Sequence, residues 1–400
     1  MRRTAGIVAL VAVTTVVAAP AHAAGKPAPE ITATVETPAL FDDAAGGDAD
    51  ADDPAIWINA SDRARSRVIG TAKNGGLRVY DLAGREVQAI ATPAGGRFNN
   101  VDLIAGFPIG GRRTDLAVVT DRGLDQLRIY RIEASGHLTD ITADDVPLLF
   151  SRDAEEVAAQ ATGYGLATYG RYAVVSRRHT TRLGIFRLQE RAGKVTYRVT
   201  DTLDLPKQFP QPDGTTWSPC ADEGEEPQVE GMVVDAEAGV LYAAQEDVAL
   251  WRIRLDGDQF AGIPRVVEYV AEFGVPYDAD CAPETTGEAG RIHADVEGAT
   301  IYKTGRRDGY LVVSSQGDSR FFVYDRRTNR PLSSFQVTDG TRADGVQHSD
   351  GAAATSVPLP GYPHGLLVLH DGENTPDAGR VSSDFKYVDW RALSLSARGA

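Results

Sequence analysis

The sequence is short of cysteine, of basic residues and of long apolar runs, and each shortage excludes a class of protein. Its 400 residues include two cysteines, 41 lysines plus arginines and 56 aspartates plus glutamates, which gives a net charge of −15. Such acidity argues against a nucleic acid or an anionic membrane as a partner, and it favours cations. No segment after the N-terminus is apolar for long enough to span a membrane. The two cysteines lack a neighbouring histidine cluster, which argues against a zinc site.

The first 23 residues have the pattern of a secretory signal. Two arginines precede an apolar run that is too short for a typical membrane span, and an Ala-His-Ala cleavage motif follows at 21–23. We therefore expect cleavage near Ala23–Ala24, an N-terminal extension over 24–46 and a folded domain over 47–395. The mature protein should be secreted and soluble. The adjacent arginines are also compatible with twin-arginine export, so the route stays open.

Both cysteines lie in polar segments that are rich in glycine and proline. Cys220 belongs to the segment 206–228 and Cys281 to the segment 273–293, and both segments interrupt an otherwise regular repeat. In an oxidising compartment such a pair predicts one disulfide bond rather than two free thiols. That bond would join neighbouring repeats.

Helical periodicity is nearly absent as well, and a sixfold repeat of strand-like segments takes its place. Each repeat has an apolar β run, a polar loop and a second β run that ends near an aromatic residue. The first runs begin 48 to 69 residues apart, which leaves room for two further strands in each repeat. The six pairs of runs are 68–71 with 77–80, 116–120 with 127–130, 172–176 with 183–186, 241–244 with 249–253, 310–314 with 321–324, and 365–369 with 385–388.

Many short strands at a long and regular spacing indicate a repeat β fold. Four strands in each of six repeats predict an all-β fold, a six-bladed β-propeller of four-stranded antiparallel blades, whose radial closure leaves few free sheet edges. A β-sandwich is the structural alternative, but it does not explain the sixfold repeat. In a propeller the loops at one mouth of the channel converge, so residues from distant repeats can form one site.

Four aspartates fall within six positions just before the first repeat, at Asp48, Asp50, Asp52 and Asp53. Carboxylates repel one another, so this density favours ligands for a hard cation such as Ca²⁺, which takes about six to eight oxygens. A charged, solvated linker is the alternative, and it stays open for Asp48 and Asp50. Further acidic or amide side chains occupy equivalent loop positions in later repeats, which a solvated surface does not explain.

Basic residues occupy the corresponding loop of the first three repeats. Lys73, Arg122 and the pair Arg177–Arg178 each follow the first β run. The fork of an arginine side chain matches the oxygens of a phosphate. The combination predicts an anion held between metal ions on one side and basic side chains on the other.

Nine short motifs resemble those of the β-propeller phytases, and they occur in order over nearly the whole mature chain. They are 52–57 (DDPAIW), 75–77 (GGL), 99–102 (NNVD), 230–232 (EGM), 244–247 (AQED), 314–319 (SSQGDS), 338–340 (TDG), 344–345 (DG) and 371–374 (DGEN). The resemblance implies calcium-dependent hydrolysis of the phosphate monoesters of phytate, myo-inositol hexakisphosphate, bound as its calcium complex by a monomeric enzyme of the 3-phytase type. It also implies that several Ca²⁺ ions bind, some of them structural and some catalytic.

The resemblance assigns three sets of residues by their positions in these motifs. The catalytic calcium ions would be held by Asp52, Glu230, Glu246, Asp295, Glu297 and Gln316. Structural calcium would be held by Asp53, Asp344, Glu373 and Asn374, and by the carbonyl groups of Pro54 and Val101. Phosphate would be contacted by Lys73, Arg122, Tyr164 and Arg178.

The chain departs from the family pattern on the substrate side. Asn74 follows Lys73 where the family often has a second lysine, and Arg178 stands where a lysine is usual. Gln245 replaces a frequent glutamate beside Glu246. We therefore expect one phosphate contact to be lost or moved.

The implied mechanism is direct attack by a calcium-bound water, without a phospho-enzyme. The sequence offers no nucleophile, because none of its histidines belongs to an Arg-His-Gly phosphatase motif. Arg122 and Arg178 would stabilise charge on the transferring group, and either Glu230 or Glu297 would orient the water. Two other functions stay open: a six-bladed calcium lactonase-type hydrolase, and a non-catalytic propeller that binds a protein partner.

Overall fold

The computed structural model describes residues 29–220, 224–278, 283–374, 379–393 and 395, and within them six β-sheets form a ring. Three short strands come first: β1 (Glu30–Ile31), β2 (Val35–Glu36) and β3 (Leu40–Phe41). The first blade contains β4 (Pro54–Trp57), β5 (Arg67–Thr71), β6 (Leu77–Tyr80) and β7 (Glu86–Ile90). The second contains β8 (Phe98–Ile109), β9 (Arg112–Asp121), β10 (Gln126–Ile132) and β11 (Leu138–Asp140). The third contains β12 (Gly163–Tyr169), β13 (Tyr172–Arg177), β14 (Arg182–Arg191) and β15 (Lys194–Asp204).

A small hairpin separates the two halves of the ring: β16 (Phe209–Pro210) and β17 (Thr216–Trp217). The fourth blade contains β18 (Val229–Asp235), β19 (Val240–Gln245), β20 (Ala249–Asp256) and β21 (Gln259–Tyr269). The fifth contains β22 (Val296–Lys303), β23 (Gly309–Ser315), β24 (Arg320–Asp325) and β25 (Pro331–Val337). The sixth contains β26 (Ala352–Thr355), β27 (Leu366–Asp371) and β28 (Ser382–Asp389). The helices in the described part of the chain are α1 (Ala154–Ala158) and four 3₁₀ turns, Ala44–Gly46, Arg63–Arg65, Gln316–Asp318 and Trp390–Leu393.

The first strands of the blades close the ring around a central channel. Strand β4 contacts β8, and the series continues through β12, β18, β22 and β26, which contacts β4 again. Neighbouring strands within each blade run antiparallel. The six predicted pairs of runs are the second and third strands of the six blades. The predicted six-bladed β-propeller is confirmed.

The second strand of each blade is buried on both faces, which explains why its sequence is a continuous apolar run. In β9, Leu116 and Val118 belong to the core shared with the third blade. The alternate residues Ala117 and Val119 belong to the core shared with the first blade. Successive side chains of a strand point to opposite faces, so one apolar run packs against two neighbouring blades.

N-terminal strands complete the last two blades. Strand β2 pairs with β28, as Val35 with Tyr387, and so supplies the fourth strand of the sixth blade. Strand β1 adds to β25 of the fifth blade, and β3 pairs with the start of β28. The described part of 24–46 therefore belongs to the blades, and the propeller begins before the boundary predicted at residue 47. Residues 1–23, the predicted signal, lie outside the described residues.

The two cysteine-bearing segments pack against each other. The ring centroid of Trp217 lies 4.6 Å from that of Phe273, and the Trp217 indole donates to the carbonyl oxygen of Val275 at 2.7 Å. Cys220 is described, whereas Cys281 lies outside the described residues, so the disulfide bond stays a prediction. Within the described ranges, no helix has the length and apolar character that crossing a membrane requires.

Candidate active site

One residue at the start of each innermost strand, or two positions before it, faces the same mouth of the propeller, and these six residues form what we call the inner ring. All of them line one cavity of about 210 Å³. They are Asp52, Asn99, Tyr164, Glu230, Glu297 and Asp350. In the last four blades a glycine follows the inner-ring residue, because the next strand passes very close. A Cβ atom on Gly231 would lie 2.3 Å from the carbonyl oxygen of Glu297.

A second set of residues follows the second strand of each blade. Arg122, Arg178, Glu246 and Gln316 come directly after that strand. The backbone N–H of each donates, at 2.8–3.1 Å, to the carbonyl of the residue two positions before the inner-ring residue. In the first blade, Lys73 lies two positions after β5. This shared bond explains why loops of distant repeats reach one cavity, whose lining includes all of these side chains among the described residues except Arg178.

The acidic half of the cavity is a buried carboxylate cluster. Ligand oxygens of Glu230, Glu246 and Glu297 lie within 4.8 Å of one another. Among the described residues, one oxygen each of Asp52, Glu246 and Glu297 is buried without a hydrogen-bond donor. A buried carboxylate is costly unless a donor or a cation satisfies it. The cluster therefore fits a hard cation that oxygen ligands surround, as calcium prefers.

Burial and mutual repulsion raise the pKa values in this cluster. Burial raises the pKa of Glu230 to about 7, and the charge of Asp350 adds to the effect. Burial also raises the pKa values of Glu246 and Glu297 well above their usual range, and the charge of Glu230 is the second cause for both. These shifts show how strongly the site disfavours carboxylates without a counter-charge.

A second carboxylate group adjoins the first. Asp247, one of the recurring loop carboxylates to which the motifs assign no role, lies with Glu246 and Asp295, and ligand oxygens of the three are within 4.8 Å of one another. Glu246 therefore belongs to both groups. Gln316 joins the same wall, since its Nε2 donates to Asp350 at 2.6 Å. The six predicted ligands of the catalytic calcium ions all line one cavity.

The basic half faces this cluster across the cavity. Arg122 donates through Nη1 to Asn99 Oδ1 at 2.9 Å, and its guanidinium carbon lies 5.7 Å from the centroid of the Tyr164 ring. Asn99 donates in turn to Glu230 Oε1 at 2.5 Å, and the Tyr164 hydroxyl donates to Glu230 Oε2. Glu230 is thus held by two donors between the halves. Lys73 Nζ lies 4.0 Å from Asp52 Oδ1.

The first set of predicted structural ligands lies beside the central channel. Asp53, Pro54 and Val101 line a second cavity, of about 240 Å³, which the innermost strands of the blades surround. Asp53 Oδ2 accepts a hydrogen bond from the Val101 N–H at 3.1 Å. Burial raises the pKa of Asp53 well above its usual range. The structure brings these three residues together, apart from the cavity that the inner ring lines.

The second set of predicted structural ligands surrounds a lysine. The Lys386 ammonium, which is fully buried, donates to Asp344, to Asp384 at 2.9 Å, to Glu36 at 3.1 Å and to Asn374 Oδ1 at 3.3 Å. We call this group the lysine cluster. It joins the N-terminal strand β2 to the last strand β28.

Glu373, the third predicted ligand of that set, does not join the lysine cluster. Its carboxylate lies 3.2 Å from His348 Nε2, and both side chains are exposed. Asp344 and Asn374 thus contact an ammonium group and Glu373 contacts a surface histidine, and their assignment to structural calcium stays a prediction.

Two lining residues, Arg97 and Asn99, were not predicted as part of the site. A third, Asp350, is one of the recurring loop carboxylates of the sequence, and it precedes a glycine as Glu230 and Glu297 do. Asn99 and Arg97 carry no such signal, since neither residue type repeats at that position in other blades. Burial is the main reason why the pKa of Arg122 lies below its usual value, and the charges of Arg97 and then Arg178 add to the effect.

Without metal, the carboxylate cluster should make the protein less stable as the pH rises. The pKa of Glu230 is about 7 in the folded protein against an ordinary value of 4.5, so the folded state binds more protons. Its contribution is fully present below pH 4.5 and is lost as the pH rises through about 7. Urea unfolding in a chelator between pH 4 and 8 should show this decline. The decline should be smaller for Glu230→Gln, and an identical pH profile for that variant would contradict the assignment.

The fold and the cavity define a β-propeller whose one mouth combines buried carboxylates with basic side chains. The sequence model of the family described as Phytase matches residues 1–195 and 225–398. A 3-phytase of Bacillus subtilis (strain 168) is 32% identical over 370 residues, which cover 91% of this chain and 85% of the relative. The chain therefore belongs to the phytase family, and it is an enzyme of the β-propeller type within that family.

The family assignment confirms the resemblance read from the motifs, and it removes the alternative of a non-catalytic propeller. The gap in the family match, 196–224, contains Cys220 and most of the first cysteine-bearing segment. Two solved structures are more distantly similar. A calcium-binding protein, regucalcin, from Agrobacterium tumefaciens str. C58 has a TM-score of 0.48 at 13% identity, over 90% of this chain and 97% of its own. The U3-55K structure has a TM-score of 0.45 at 10% identity, over 90% of this chain and 100% of its own.

Proposed function

We propose that this enzyme releases inorganic phosphate from phytate in a calcium-dependent hydrolysis, leaving lower inositol phosphates. One observation carries the proposal: buried, unsatisfied carboxylates and basic side chains line the same cavity. An acidic protein repels a polyanion unless cations lie between them. The carboxylates would hold those cations, and the basic side chains would bind phosphate oxygens directly.

Calcium would be held by the inner-ring carboxylates together with Glu246, Asp295 and Gln316. Bound there, it would supply positive charge to the phosphate oxygens and lower the pKa of the water it binds. Lys73 and Arg122 would bind the equatorial oxygens from the opposite side, where the phosphoryl group needs charge stabilisation. Arg178, which is not a lining residue but whose charge acts on Arg122, would add positive charge to the basic half of the cavity.

The two candidates for orienting the attacking water differ in their hydrogen bonds. Both oxygens of Glu230 accept from protein donors, Asn99 and Tyr164, which fix its position. Glu297 keeps Oε2 buried and without a donor from the described residues. We therefore assign the water-orienting role to Glu297. The water oxygen would bond to phosphorus as the ester P–O bond breaks, and Glu297 Oε2 would take the water proton. The leaving inositol oxygen would take a proton from solvent and depart as the alcohol.

We also propose that the protein is secreted, that the signal over 1–23 is removed, and that a Cys220–Cys281 disulfide joins the two inserted segments. The contact between Trp217 and Phe273 supports the last point, because it already holds the two segments together. A monomer is proposed, since the ring closes on itself through its own N-terminal strands. Mass analysis of the mature chain, with and without reduction, tests cleavage and disulfide together.

Removal of calcium should abolish phosphate release from phytate. Phosphate would be measured after exhaustive chelation and again after calcium is restored, with magnesium as the control because it prefers a smaller octahedral site with retained water. Calcium should also raise the unfolding temperature of the same sample, which is a readout independent of turnover. Activity that survives chelation would overturn the calcium requirement, and cleavage of lactones instead of phytate would favour the lactonase-type alternative.

A further inference from the structure

We propose that Arg97 is a further phosphate-binding residue. While substrate is absent, the carboxylate of Asp48 pairs with Arg97 at the position where the phosphate group would bind. The proposal rests on the proposed function and extends it to a residue outside the family motifs quoted above. It also gives a role to the start of the acidic run, which the sequence left open.

The repeat places Arg97 on the cavity wall. Its carbonyl accepts the Arg122 N–H at 2.8 Å, just as the carbonyl of Asp295 accepts the Gln316 N–H at 2.9 Å. Arg97 is therefore the counterpart, in the second blade, of Asp295 in the fifth. Both side chains line the same cavity. One repeat position thus supplies a carboxylate to the acidic half and a guanidinium to the basic half.

The charges around Arg97 favour an anion at this place. Lys73, Arg97 and Arg122 line the same cavity, and the Nε atoms of Arg97 and Arg122 are buried without an acceptor from the described residues. The charge of Arg97 is one reason why the pKa of Arg122 lies below its usual value, after burial. Positive side chains that line one cavity repel one another, and a negatively charged group bound between them offsets this repulsion. A phosphate can accept from two or more of these groups at once.

The partners of these cations come from the acidic run before β4. Arg97 Nη1 lies 2.8 Å from Asp48 Oδ2, and Lys73 Nζ lies 2.5 Å from Asp50 Oδ2. Asn74 holds this run in place, since its N–H donates to the carbonyl of Asp48 at 2.9 Å and its Nδ2 donates to Gly47 at 2.8 Å.

These contacts leave the pair between Arg97 and Asp48 easy to displace. The Asp48 side chain is 66% exposed and that of Arg97 only 17%. An exposed carboxylate is screened by water and contributes little to an ion pair. A phosphate group, which carries more charge and more acceptor oxygens, can therefore replace it. The carboxylate of Asp48 is then an internal competitor, and phosphate binding has to break one ion pair.

The test measures binding of inorganic phosphate by calorimetry in the presence of calcium, with phytate turnover in parallel. Arg97→Met should weaken phosphate binding and raise KM for phytate by about 10-fold, as loss of a charged hydrogen bond predicts. The value of kcat should change less than KM. Arg97→Lys should recover part of the affinity, and Asp48→Asn should shift it the other way, to tighter binding. Arg182→Met is the matched control, because Arg182 also pairs with an aspartate, Asp204, at 2.8 Å but is not a lining residue.

Three results would overturn the proposal: unchanged phosphate affinity in a folded Arg97→Met, an equal loss in Arg182→Met, or weaker binding in Asp48→Asn. If Arg97→Met does not fold, the opposite shifts expected for Arg97→Lys and Asp48→Asn decide the matter. If the wild-type protein does not hydrolyse phytate but Arg97→Met still loses phosphate affinity, the proposed function fails and the phosphate site stands.

Discussion

Replacing Glu230 with glutamine should reduce phosphate release from phytate at least about 100-fold, since even residues outside the ligand shell of a metal cost 10- to 100-fold when changed. The protein should nevertheless fold as well as before when metal is absent. Glu230 lies in the carboxylate cluster with Glu246 and Glu297, where like charges repel in a buried place. Glutamine keeps the shape and removes one negative charge, and its amide can donate to the Tyr164 hydroxyl, so the change relieves repulsion while it weakens the proposed cation site.

This combination of effects separates a catalytic residue from a structural one. Turnover of phytate, the unfolding temperature in a chelator and the shift of that temperature on adding calcium should be measured together. Glu230→Gln should lower turnover of phytate, leave the unfolding temperature in chelator unchanged or higher, and reduce the rise of that temperature on adding calcium. A merely structural residue would lower the unfolding temperature along with turnover.

Asp344→Asn is the matched control, because Asp344 lies in the lysine cluster and is not part of the cavity lining. Asp344→Asn should lower the unfolding temperature in chelator. It should leave kcat within about threefold of wild type, since a change of less than about 1.4 kcal/mol in activation free energy is less than tenfold in rate. If both variants lost turnover and stability to the same extent, the division between the catalytic and structural sets would be wrong.

The blades could be predicted from the sequence because their second and third strands carry a strong local signal. The second strand of each blade is buried on both faces, so Leu116–Val119 reads as an unbroken apolar run. Outer strands give a weaker signal, since β7 has no fully buried residue in its burial pattern. Closure of the ring by β2 has no local signal at all. Val35 pairs with Tyr387 across almost the whole chain, and only the completed ring places them together.

The candidate site was predictable where a repeat position keeps its chemistry, and not where it changes. Glu230 and Glu297 share a Glu-Gly pattern that indicates both a ligand and a close strand contact. Arg97 could not be found in this way, because its counterpart in the fifth blade is an aspartate and only the shared backbone bond relates them. Glu373 shows the opposite limit. Its motif predicts a calcium ligand, whereas its side chain contacts His348 at the surface, so the ligand role stays a prediction.

The lysine cluster yields the largest expected effect on stability. Lys386→Met should lower the free energy of unfolding in a chelator by about 3–5 kcal/mol, the usual cost of removing one partner from a buried ion pair. The ammonium is fully buried, and so are the carboxylates of Asp371 and Asp384, which lie 3.3 Å and 2.9 Å from it. Methionine would fill the space but leave these carboxylates without a counter-charge. The loss should also loosen β2, whose Glu36 binds the same ammonium.

Urea unfolding of Lys386→Met and of Lys194→Met would check this expectation, because Lys194 also forms a lysine–aspartate pair but is 46% exposed. An exposed pair contributes about 0–1 kcal/mol, so the control should change little. Equal losses in the two variants would show that the buried ammonium has no special role. Addition of calcium then distinguishes between two candidate partners of Asp344, the lysine ammonium and a divalent cation. If calcium restores the stability of Lys386→Met, a divalent cation can take the place of the ammonium. If it does not, the lysine alone holds the N-terminal strand to the last blade, and the calcium proposed for this enzyme would act at the carboxylate cluster of the cavity.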